Sequence, residues 1–290
     1  MAYYPGCTLY TKSRNLDLCA RETAKILGIE LKELETWNCC GAIYSTVQDD
    51  LANQVAPIRN LIEAQKISNN GESAKLVTLC AACYNVLKRS NRNLFLPENV
   101  IYRKRIMNYL ETDYDGKTET VHYLEVLKND VGFNNLKSRV KNSLNGMKIA
   151  SYYGCLMLRP SDELNFDDPE NPMIMDDMFL ALGAEPVNYA FKAECCGGYL
   201  LVNKPDAAIK CTLIILENII AAGAECVATT CPLCQYNLDK FQIQTAKFQI
   251  PIFYFTQLLG LSLGVDEKIL NLENHYVDPK PLLKEKGLLK

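Results

Sequence analysis

Histidine is almost absent from this chain of 290 residues, in which His122 and His275 are the only examples. Zinc enzymes that bind their metal through imidazole, and enzymes that use histidine as a general base, are therefore disfavoured. Long apolar segments are missing as well, because no run approaches the length of about 18 residues that a membrane-spanning helix needs.

The N-terminal stretch MAYYPGCTLYTKSRN lacks the charged and apolar regions of a secretion signal. Basic blocks and acidic tails are also lacking, since the net charge is −3 and both signs are mixed along the chain. No nucleic-acid partner is therefore expected. These absences predict a soluble cytoplasmic protein without a membrane span, and the length allows one large or two modest domains.

Cysteine, by contrast, is abundant, with 13 residues in the chain. A disulfide framework is unexpected in a reducing compartment, so clustered cysteines indicate metal or catalytic ligands. The stretch AECCGGYL places Cys195 and Cys196 side by side. Because adjacent Cα atoms lie only about 3.8 Å apart, these two residues make a poor disulfide and need other partners.

One series of cysteines occurs twice, in the order single cysteine, adjacent pair followed by glycine, and CxxC. The first cysteine set lies in YYPGC, WNCCGA and LCAACYNVL and comprises Cys7, Cys39, Cys40, Cys80 and Cys83. The second cysteine set lies in YYGC, ECCGGY and TCPLCQYNL and comprises Cys155, Cys195, Cys196, Cys231 and Cys234. A Tyr-Asn pair follows each CxxC, and the loops between blocks differ in length. The series therefore indicates an internal duplication.

The segments around the cysteines predict strands that alternate with helices. AKLVTLC, GMKIASYYGC and ECVATTC are typical of short buried strands that end at a cysteine. SRNLDLCARETAKILG has apolar or small residues at helical spacing and stops at Gly28, and DDMFLALG stops at Gly183 in the same way. The alternation predicts an α/β fold of two pseudo-symmetric domains with mainly parallel sheets, whose ligands lie at the carboxyl ends of the strands.

The duplication also predicts the domain boundaries. We expect a first cysteine-rich domain over residues 1–127 and a second, with a C-terminal extension, over residues 147–290. Between them, KNDVGFNNLKSRVKNSLNG at 128–146 has Gly and Asn near its ends and is predicted to be a linker helix.

Five thiolates in each domain favour a soft metal or an iron–sulfur cluster. One zinc ion or one cubane cluster needs only four ligands, so five favour a cluster of unusual shape, in which adjacent cysteines contact different irons. Gly41, Gly197 and Gly198 allow close approach of the backbone and N–H bonds to sulfides. The remaining cysteines, Cys19, Cys211 and Cys226, lie on apolar faces and are expected only to pack.

The repeated series resembles the family of proteins with two CCG cysteine-rich domains, which includes the B subunit of the heterodisulfide reductase of methanogenic archaea. The resemblance covers almost the whole chain. It implies two non-cubane [4Fe–4S] clusters, one held by each cysteine set. It also implies the reduction of the coenzyme M–coenzyme B heterodisulfide to two thiols, with each sulfur taken by an iron of one cluster.

Some relatives of this kind carry a CxxCxxCxxxCP segment, which this chain lacks. The resemblance therefore implies separate partners, namely a ferredoxin-like iron–sulfur subunit and a flavin-containing subunit. The two coenzymes are anionic, which makes Lys12, Arg14 and Arg159 candidate substrate-binding residues, although a solvated surface role is equally expected for each. Gly41, Gly197 and Gly198, in the loops after the adjacent cysteines, are expected to line the substrate pocket between the clusters. His122 is a candidate proton donor, but a structural role is the simpler interpretation.

Two other functions remain open. The chain fits an electron-transfer subunit that connects a flavin dehydrogenase to a quinone, although the missing ferredoxin-like segment and the two complete cysteine sets count against it. A zinc-stabilised scaffold would explain CxxC alone, because that spacing occurs in zinc sites, but would leave the adjacent cysteines without a role.

Overall fold

The computed structural model describes residues 1–42, 51–67 and 73–289. The chain forms two sheets, each of four parallel strands. The strands of the first are β1 (Ala2–Tyr4), β2 (Lys32–Glu33), β3 (Lys75–Thr78) and β4 (Glu119–His122). Those of the second are β5 (Lys148–Tyr152), β6 (Glu185–Pro186), β7 (Cys226–Thr229) and β8 (Ile252–Tyr254).

The two sheets have the same topology. Their strand orders are β2-β1-β3-β4 and β6-β5-β7-β8, and every pair of neighbours is parallel. The register also matches, because Tyr4 lies opposite Thr78 in one sheet and Tyr152 lies opposite Thr229 in the other. The predicted α/β class and the duplication are confirmed.

Helices connect the parallel strands, as crossover connections require. The helices of the first half are α1 (Arg14–Ile26), α2 (Leu51–Ile67), α3 (Ala81–Leu94), α4 (Val100–Leu110) and α5 (Tyr123–Val126). A helix α6 (Phe133–Ser138) follows, and those of the second half are α7 (Ser161–Leu164), α8 (Ile174–Ala181), α9 (Pro205–Ala221), α10 (Pro232–Thr245), α11 (Phe255–Leu263), α12 (Glu267–Leu270) and α13 (Lys280–Glu285).

The sequence signals for α1 and α8 are confirmed. The apolar face of α1, with Leu16, Cys19 and Ala20, is buried. Both helices end two residues before a glycine in the left-handed conformation, Gly28 with φ 76° and Gly183 with φ 85°. Glycine adopts this conformation without the strain that a side chain would add, and it therefore stops the helix.

The segment 128–146 is not one helix, which corrects the predicted linker. A π-helical turn, Leu127–Val131, ends at Gly132, whose φ of 77° interrupts the helix before α6 begins. Beyond α6 the chain turns through Asn145 and Gly146, both with positive φ, and enters β5. The glycine and asparagine that marked the ends of the linker in sequence therefore break it in structure.

Helices of each half pack on helices of the other half. Helices α11 and α12, which follow the last strand of the second half, pack on α1 of the first half. Helix α6, the second helix after β4 as α12 is the second after β8, packs on α8 in the corresponding way. The hydroxyl of Tyr254 donates to Ser13 Oγ (2.9 Å), and Asn85 Nδ2 donates to the carbonyls of Leu156 (2.9 Å) and Arg159 (2.8 Å). The halves therefore share one continuous core.

Within the described ranges, no helix combines the length and apolar character that crossing a bilayer requires.

Candidate functional site

The first cysteine set converges where β1 and β3 end. The lone Cys7 follows β1, and its Sγ lies 3.5 Å from Sγ of Cys39. Cys83, in the first turn of α3, receives a hydrogen bond of 3.4 Å from the thiol of Cys40. The carboxyl ends of parallel strands meet at one edge of a sheet, and this brings cysteines distant in sequence together.

The second set repeats this arrangement at the ends of β5 and β7. The thiols of Cys196 and Cys234 are 3.5 Å apart, close to the 3.4 Å between their counterparts Cys40 and Cys83. Cys155 hydrogen-bonds to Cys195, again matching the lone cysteine with the first member of the adjacent pair. The structure thus brings together all five cysteines predicted for each set.

Adjacent cysteines face opposite ways in both halves. Cys39 and Cys195 are exposed, whereas Cys40 and Cys196 are buried. Successive side chains of an extended chain point to opposite sides, so one member of each pair reaches the lone cysteine and the other reaches CxxC. The adjacent pair therefore connects two parts of each site.

A glycine before each lone cysteine makes room for a sulfur atom. A Cβ on Gly6 would lie 3.0 Å from Sγ of Cys83, and a Cβ on Gly154 would lie 3.1 Å from Sγ of Cys234. Both glycines have positive φ, so a side chain at either position would add backbone strain to steric crowding.

A buried tyrosine anchors each adjacent pair and was missed from the sequence. Tyr4 donates a hydrogen bond of 2.8 Å to the carbonyl of Asn38, and Tyr152 donates one of 2.6 Å to the carbonyl of Glu194. Each acceptor immediately precedes an adjacent pair of cysteines, and each tyrosine stands three residues before a lone cysteine. The repeated offset was the available signal.

The second half has an additional anchor. The buried ammonium group of Lys192 forms an ion pair with the buried carboxylate of Asp176. The carbonyl of Lys192 accepts hydrogen bonds from the N–H groups of Tyr153 (2.9 Å) and Gly154 (3.1 Å). This residue therefore joins the loop before Cys155 to the loop before the adjacent pair.

Hydrogen bonding between thiols lowers the pKa of the first cysteine in each adjacent pair. Bonds from Cys40 and Cys7 lower the pKa of Cys39 to about 2, and a bond from Cys155 lowers that of Cys195 to about 6. The same bonds, together with burial, raise the pKa values of Cys7 and Cys155. Each set thus offers thiolate at neutral pH, the form that binds soft metals.

The two sets also lie close enough to influence each other's pKa values. A hydrogen bond from Cys231 is the largest cause that lowers the pKa of Cys80. Although a bond from Cys234 lowers the pKa of Cys231, contact with Cys80 and burial raise it to about 12. Leu233, between the cysteines of the second CxxC, lines the cavities of both sets. The CxxC turns thus form the junction between the two sites.

The thiols of each set line a cavity and do not converge on the position of a single metal ion. No three Cys, His, Asp or Glu side chains in the described ranges lie close enough together to hold a single metal ion. All five cysteines of the first set line a cavity of about 700 Å³, and those of the second line one of about 320 Å³, solvent-open space included. Five sulfur donors around a cavity suit a polynuclear iron–sulfur cluster better than one zinc ion.

The predicted cationic residues lie apart from these cavities. Arg159 uses its guanidinium within the protein, donating to the carbonyl of Ala193 (2.8 Å) and to Glu170 (2.8 Å). Lys12 and Arg14 are exposed, and Lys12 lines a neighbouring cavity. In the described part of the chain, neither cysteine cavity has an Asp, Glu, Lys, Arg or His side chain in its lining.

The three predicted glycines lie beside the thiols. Gly41 lines the first cysteine cavity and Gly198 the second. The N–H group of Gly197 donates to Sγ of Cys195 over 3.4 Å. The backbone therefore approaches a cysteine sulfur in the second half, and N–H bonds to the sulfides of a cluster stay a prediction.

His122 is fully buried and has a structural environment. Its Nδ1 accepts from the N–H group of Leu124 (3.2 Å), so its Nε2 carries the hydrogen and donates to the carbonyl of Leu79 (2.9 Å). Burial lowers the pKa of His122 to about 3, which keeps the ring neutral. It caps the start of α5 instead of facing either cysteine cavity.

The other cysteines lie outside both sites. Cys19 and Cys226 are buried in the core, and Cys211 is half-buried on α9. The Tyr-Asn pairs after CxxC are not equivalent, because the second is displaced by one residue along its helix. Asn237 consequently donates to the carbonyl of Cys196 (3.0 Å) in its own half, unlike Asn85.

Comparison with known proteins places this site in a family. The model of the CCG cysteine-rich domain matches residues 1–88 and 149–239, and these two stretches contain both cysteine sets. The chain therefore belongs to the CCG cysteine-rich domain family, with two copies of the domain.

Its relatives are redox proteins. The chain is 34% identical, over 97% of its length and 98% of the relative's, to the 8-methylmenaquinol:fumarate reductase membrane anchor subunit of Wolinella succinogenes. It is 27% identical to the B subunit of the ferredoxin:CoB-CoM heterodisulfide reductase of Methanosarcina mazei, over 96% of this chain and 93% of that one. It is 31% identical to a protein of Archaeoglobus profundus named as similar to the same reductase subunit, over 92% of each.

The fold has also been seen in a solved structure. The crystal structure of a hypothetical protein from Helicobacter pylori matches with a TM-score of 0.74 at 14% identity. The match covers 96% of this chain and 51% of that one, and it supports the fold alone.

Proposed function

We propose that this chain is the electron-transfer subunit of a multi-subunit oxidoreductase and holds one non-cubane [4Fe–4S] cluster in each cysteine cavity. Bound there, such clusters would supply one-electron transfer. The closeness of the two cysteine cavities carries the proposal: Leu233 lines both of them, which places the two thiol sets on one path through the protein. Partners with flavin and ferredoxin-like centres are expected at its two ends.

The chain's own residues hold the sites in place. The hydrogen bonds of Tyr4 and Tyr152 fix the backbone before each adjacent pair, and burial of Cys40 and Cys196 excludes water from one side of each cavity. Fixed ligands and a dry environment limit reorganisation when an electron arrives.

The lack of cationic side chains favours a quinone-linked path over an anionic substrate. Among the described residues, neither cysteine cavity is lined by Lys, Arg or His, whereas the heterodisulfide carries several negative charges. The similarity to one component of a methylmenaquinol:fumarate reductase also supports a quinone-linked path.

Reduction of the coenzyme M–coenzyme B heterodisulfide is the second candidate. The facing thiol sets favour it, since a disulfide has two sulfurs that each need a soft partner, and three relatives are named as the B subunits of such reductases. In that case the chain itself would be the catalytic subunit.

The first experiment is analysis of anaerobically prepared protein for iron, sulfide and zinc. Two four-iron clusters require about eight irons per chain. Four or fewer irons with stoichiometric zinc would reject the two-cluster proposal.

The second experiment compares electron acceptors. Protein reduced anaerobically is mixed either with a water-soluble naphthoquinone or with the heterodisulfide, and a ferredoxin with two cubane clusters serves as the control. We expect the naphthoquinone to oxidise this protein faster than the control, and the heterodisulfide to leave it reduced. Rapid oxidation by the heterodisulfide would replace the first candidate by the second.

A further inference from the structure

Helix α9 carries apolar side chains on its outer face as well as on its inner face. Ile215 and Leu216 of the inner face are buried in the core, whereas Ile214 and Ile220 of the outer face are each 38% exposed. A helix that is apolar on all sides is normally covered on all sides. The outer face of α9 is therefore a candidate contact surface.

A groove with a volume of about 700 Å³, including space open to solvent, runs along this outer face. Its apolar part comes from Ile209, Leu213 and Ile214. Its charged residues are Asp206, Lys210, Glu217 and Lys247, two of each sign. Because these charges sum to zero, the face can meet a copy of itself without net repulsion.

The order of residues along α9 makes the outer face complementary to itself. Lys210 and Glu217 are seven residues apart and therefore lie on one side of the helix, with Leu213 and Ile214 midway between them. Two copies of α9 that pack antiparallel about a two-fold axis at this midpoint place each Lys210 opposite Glu217 of the second copy. Leu213 then lies opposite Ile214 of the second copy.

The charged groups are available for this contact. Within the described ranges, Lys210 is exposed and forms no ion pair in its own chain. Glu217 pairs with Lys247, and both side chains remain about half exposed. A second lysine can therefore approach the same carboxylate.

Helix α4 shows the difference between an exposed apolar surface and a self-complementary one. Its Ile101 is 71% exposed and its Tyr109 is 66% exposed. The charged residues of α4, however, are Arg103, Lys104 and Arg105, and its sequence VIYRKRIMNYL has no acidic residue. Two copies of α4 would repel each other, so self-association is expected at α9 and not at α4.

We infer that the outer face of α9 binds a second copy of this chain, through an antiparallel pair of helices related by two-fold symmetry. The inner face of α9 touches the loop of the second cysteine set, where Thr212 Oγ1 donates to the carbonyl of Cys196 (3.2 Å). The second sites of the two copies then lie on either side of one helix pair. This contact goes beyond electron transfer, which requires only one copy.

The test is sedimentation velocity of the anaerobic holoprotein at concentrations from about 1 to about 100 µM. One pair of helices gives a contact at the small end of the range for specific interfaces, so we expect a dimer with a micromolar dissociation constant. Ile214→Arg should weaken it roughly tenfold or more, because a charge would enter the apolar contact without a partner. Ile101→Arg, the same change on α4, is the matched control and should dimerise as wild type.

Charge exchange tests the antiparallel arrangement. Lys210→Glu and Glu217→Lys each place like charges opposite each other twice, so each should weaken the dimer roughly tenfold. The double variant restores opposite charges across the axis and should regain most of the affinity. Lys137→Glu, which reverses an exposed lysine of α6, should have no effect.

Iron content is measured on every preparation, so that a folding defect is recognised. A wild-type protein that stays monomeric throughout, equal dimerisation of Ile214→Arg and Ile101→Arg, or a double variant no tighter than the single ones overturns the inference. The charge variants decide the matter where Ile214→Arg loses its iron. Monomeric protein with full iron content rejects the dimer and leaves the electron-transfer proposal intact.

Discussion

The hydroxyl of Tyr152 donates a hydrogen bond of 2.6 Å to the backbone carbonyl of Glu194, the residue before the second adjacent pair of cysteines. Tyr152→Phe should leave this carbonyl without its partner and weaken the support of the second site by about 1 kcal/mol. We expect iron to leave the second site roughly fivefold faster in the presence of a chelator.

The matched control is Tyr189→Phe. Tyr189 is another tyrosine that donates to a backbone carbonyl, that of Ser151 (2.9 Å), but it does not hold a cysteine loop. Equal rates of iron loss in the two variants would show that Tyr152 has no specific role.

Because each site has its own set of ligands, removing one ligand should release iron from that site alone. Cys196→Ser removes a thiol that lies 3.5 Å from Cys234 within the second set, so iron content should fall from about eight to about four per chain. Electron paramagnetic resonance should still detect the first site. Cys211→Ser, which alters a half-buried cysteine outside both sets, should retain all iron. Loss of both signals in Cys196→Ser would instead indicate one shared site.

Substitution of Cys231, which lies where the two sites adjoin, should affect both sites and not the second site alone. Because Cys231 influences the pKa of Cys80 and its neighbours Pro232 and Leu233 line the first cavity, Cys231→Ser should change the spectra of both sites. Cys195→Ser should change only the second, because the contacts of Cys195 lie within its own set. A spectrum of the first site that is identical in the two variants would contradict a direct junction.

Buried His122 predicts a loss of stability in acid. Its pKa in the folded protein, about 3, is below the ordinary value of 6.5, so the unfolded chain binds more protons between these values. The contribution of His122 is therefore complete above pH 6.5 and is lost progressively as the pH falls towards 3. Between pH 7 and pH 5 the loss amounts to roughly 2 kcal/mol.

The measurement is the unfolding temperature of wild type and His122→Gln at pH 7 and pH 5, at one scan rate because unfolding of a cluster protein is irreversible. Wild type should lose about 4 °C more than the variant on acidification. Parallel shifts in the two proteins would assign the acid sensitivity to other groups, such as His275, whose pKa burial lowers to about 4.

The sequence pattern predicted those strands that are buried and those helices that end at a glycine. The buried strands β3, β5 and β7 each lie in a predicted segment, and Gly28 and Gly183 end their helices as expected. The edge strands β2 and β6 were not predicted, because each has two residues and is exposed or half-buried. Such strands form through pairing with a neighbour and not through a local pattern.

The membership of each cysteine set was predictable, whereas its internal pairing was not. Sequence grouped Cys40 with Cys39, but the structure pairs its thiol with Cys83, because adjacent side chains point in opposite directions. Contact between Cys80 and Cys231 depends on how the halves dock, which no local sequence pattern records. Arg159 was proposed for substrate binding from its position alone, and its internal hydrogen bonds required coordinates.

The crossed packing of α12 on α1 and of α6 on α8 bears on how such a chain arose. In an ancestor with one copy of the domain, the same packing would join two identical subunits, each lending a helix that follows its last strand to the other. Gene fusion would then have connected a dimer that was already interlocked. For the same reason, the two halves produced as separate polypeptides should reassociate with each other, and neither should persist as an independent module.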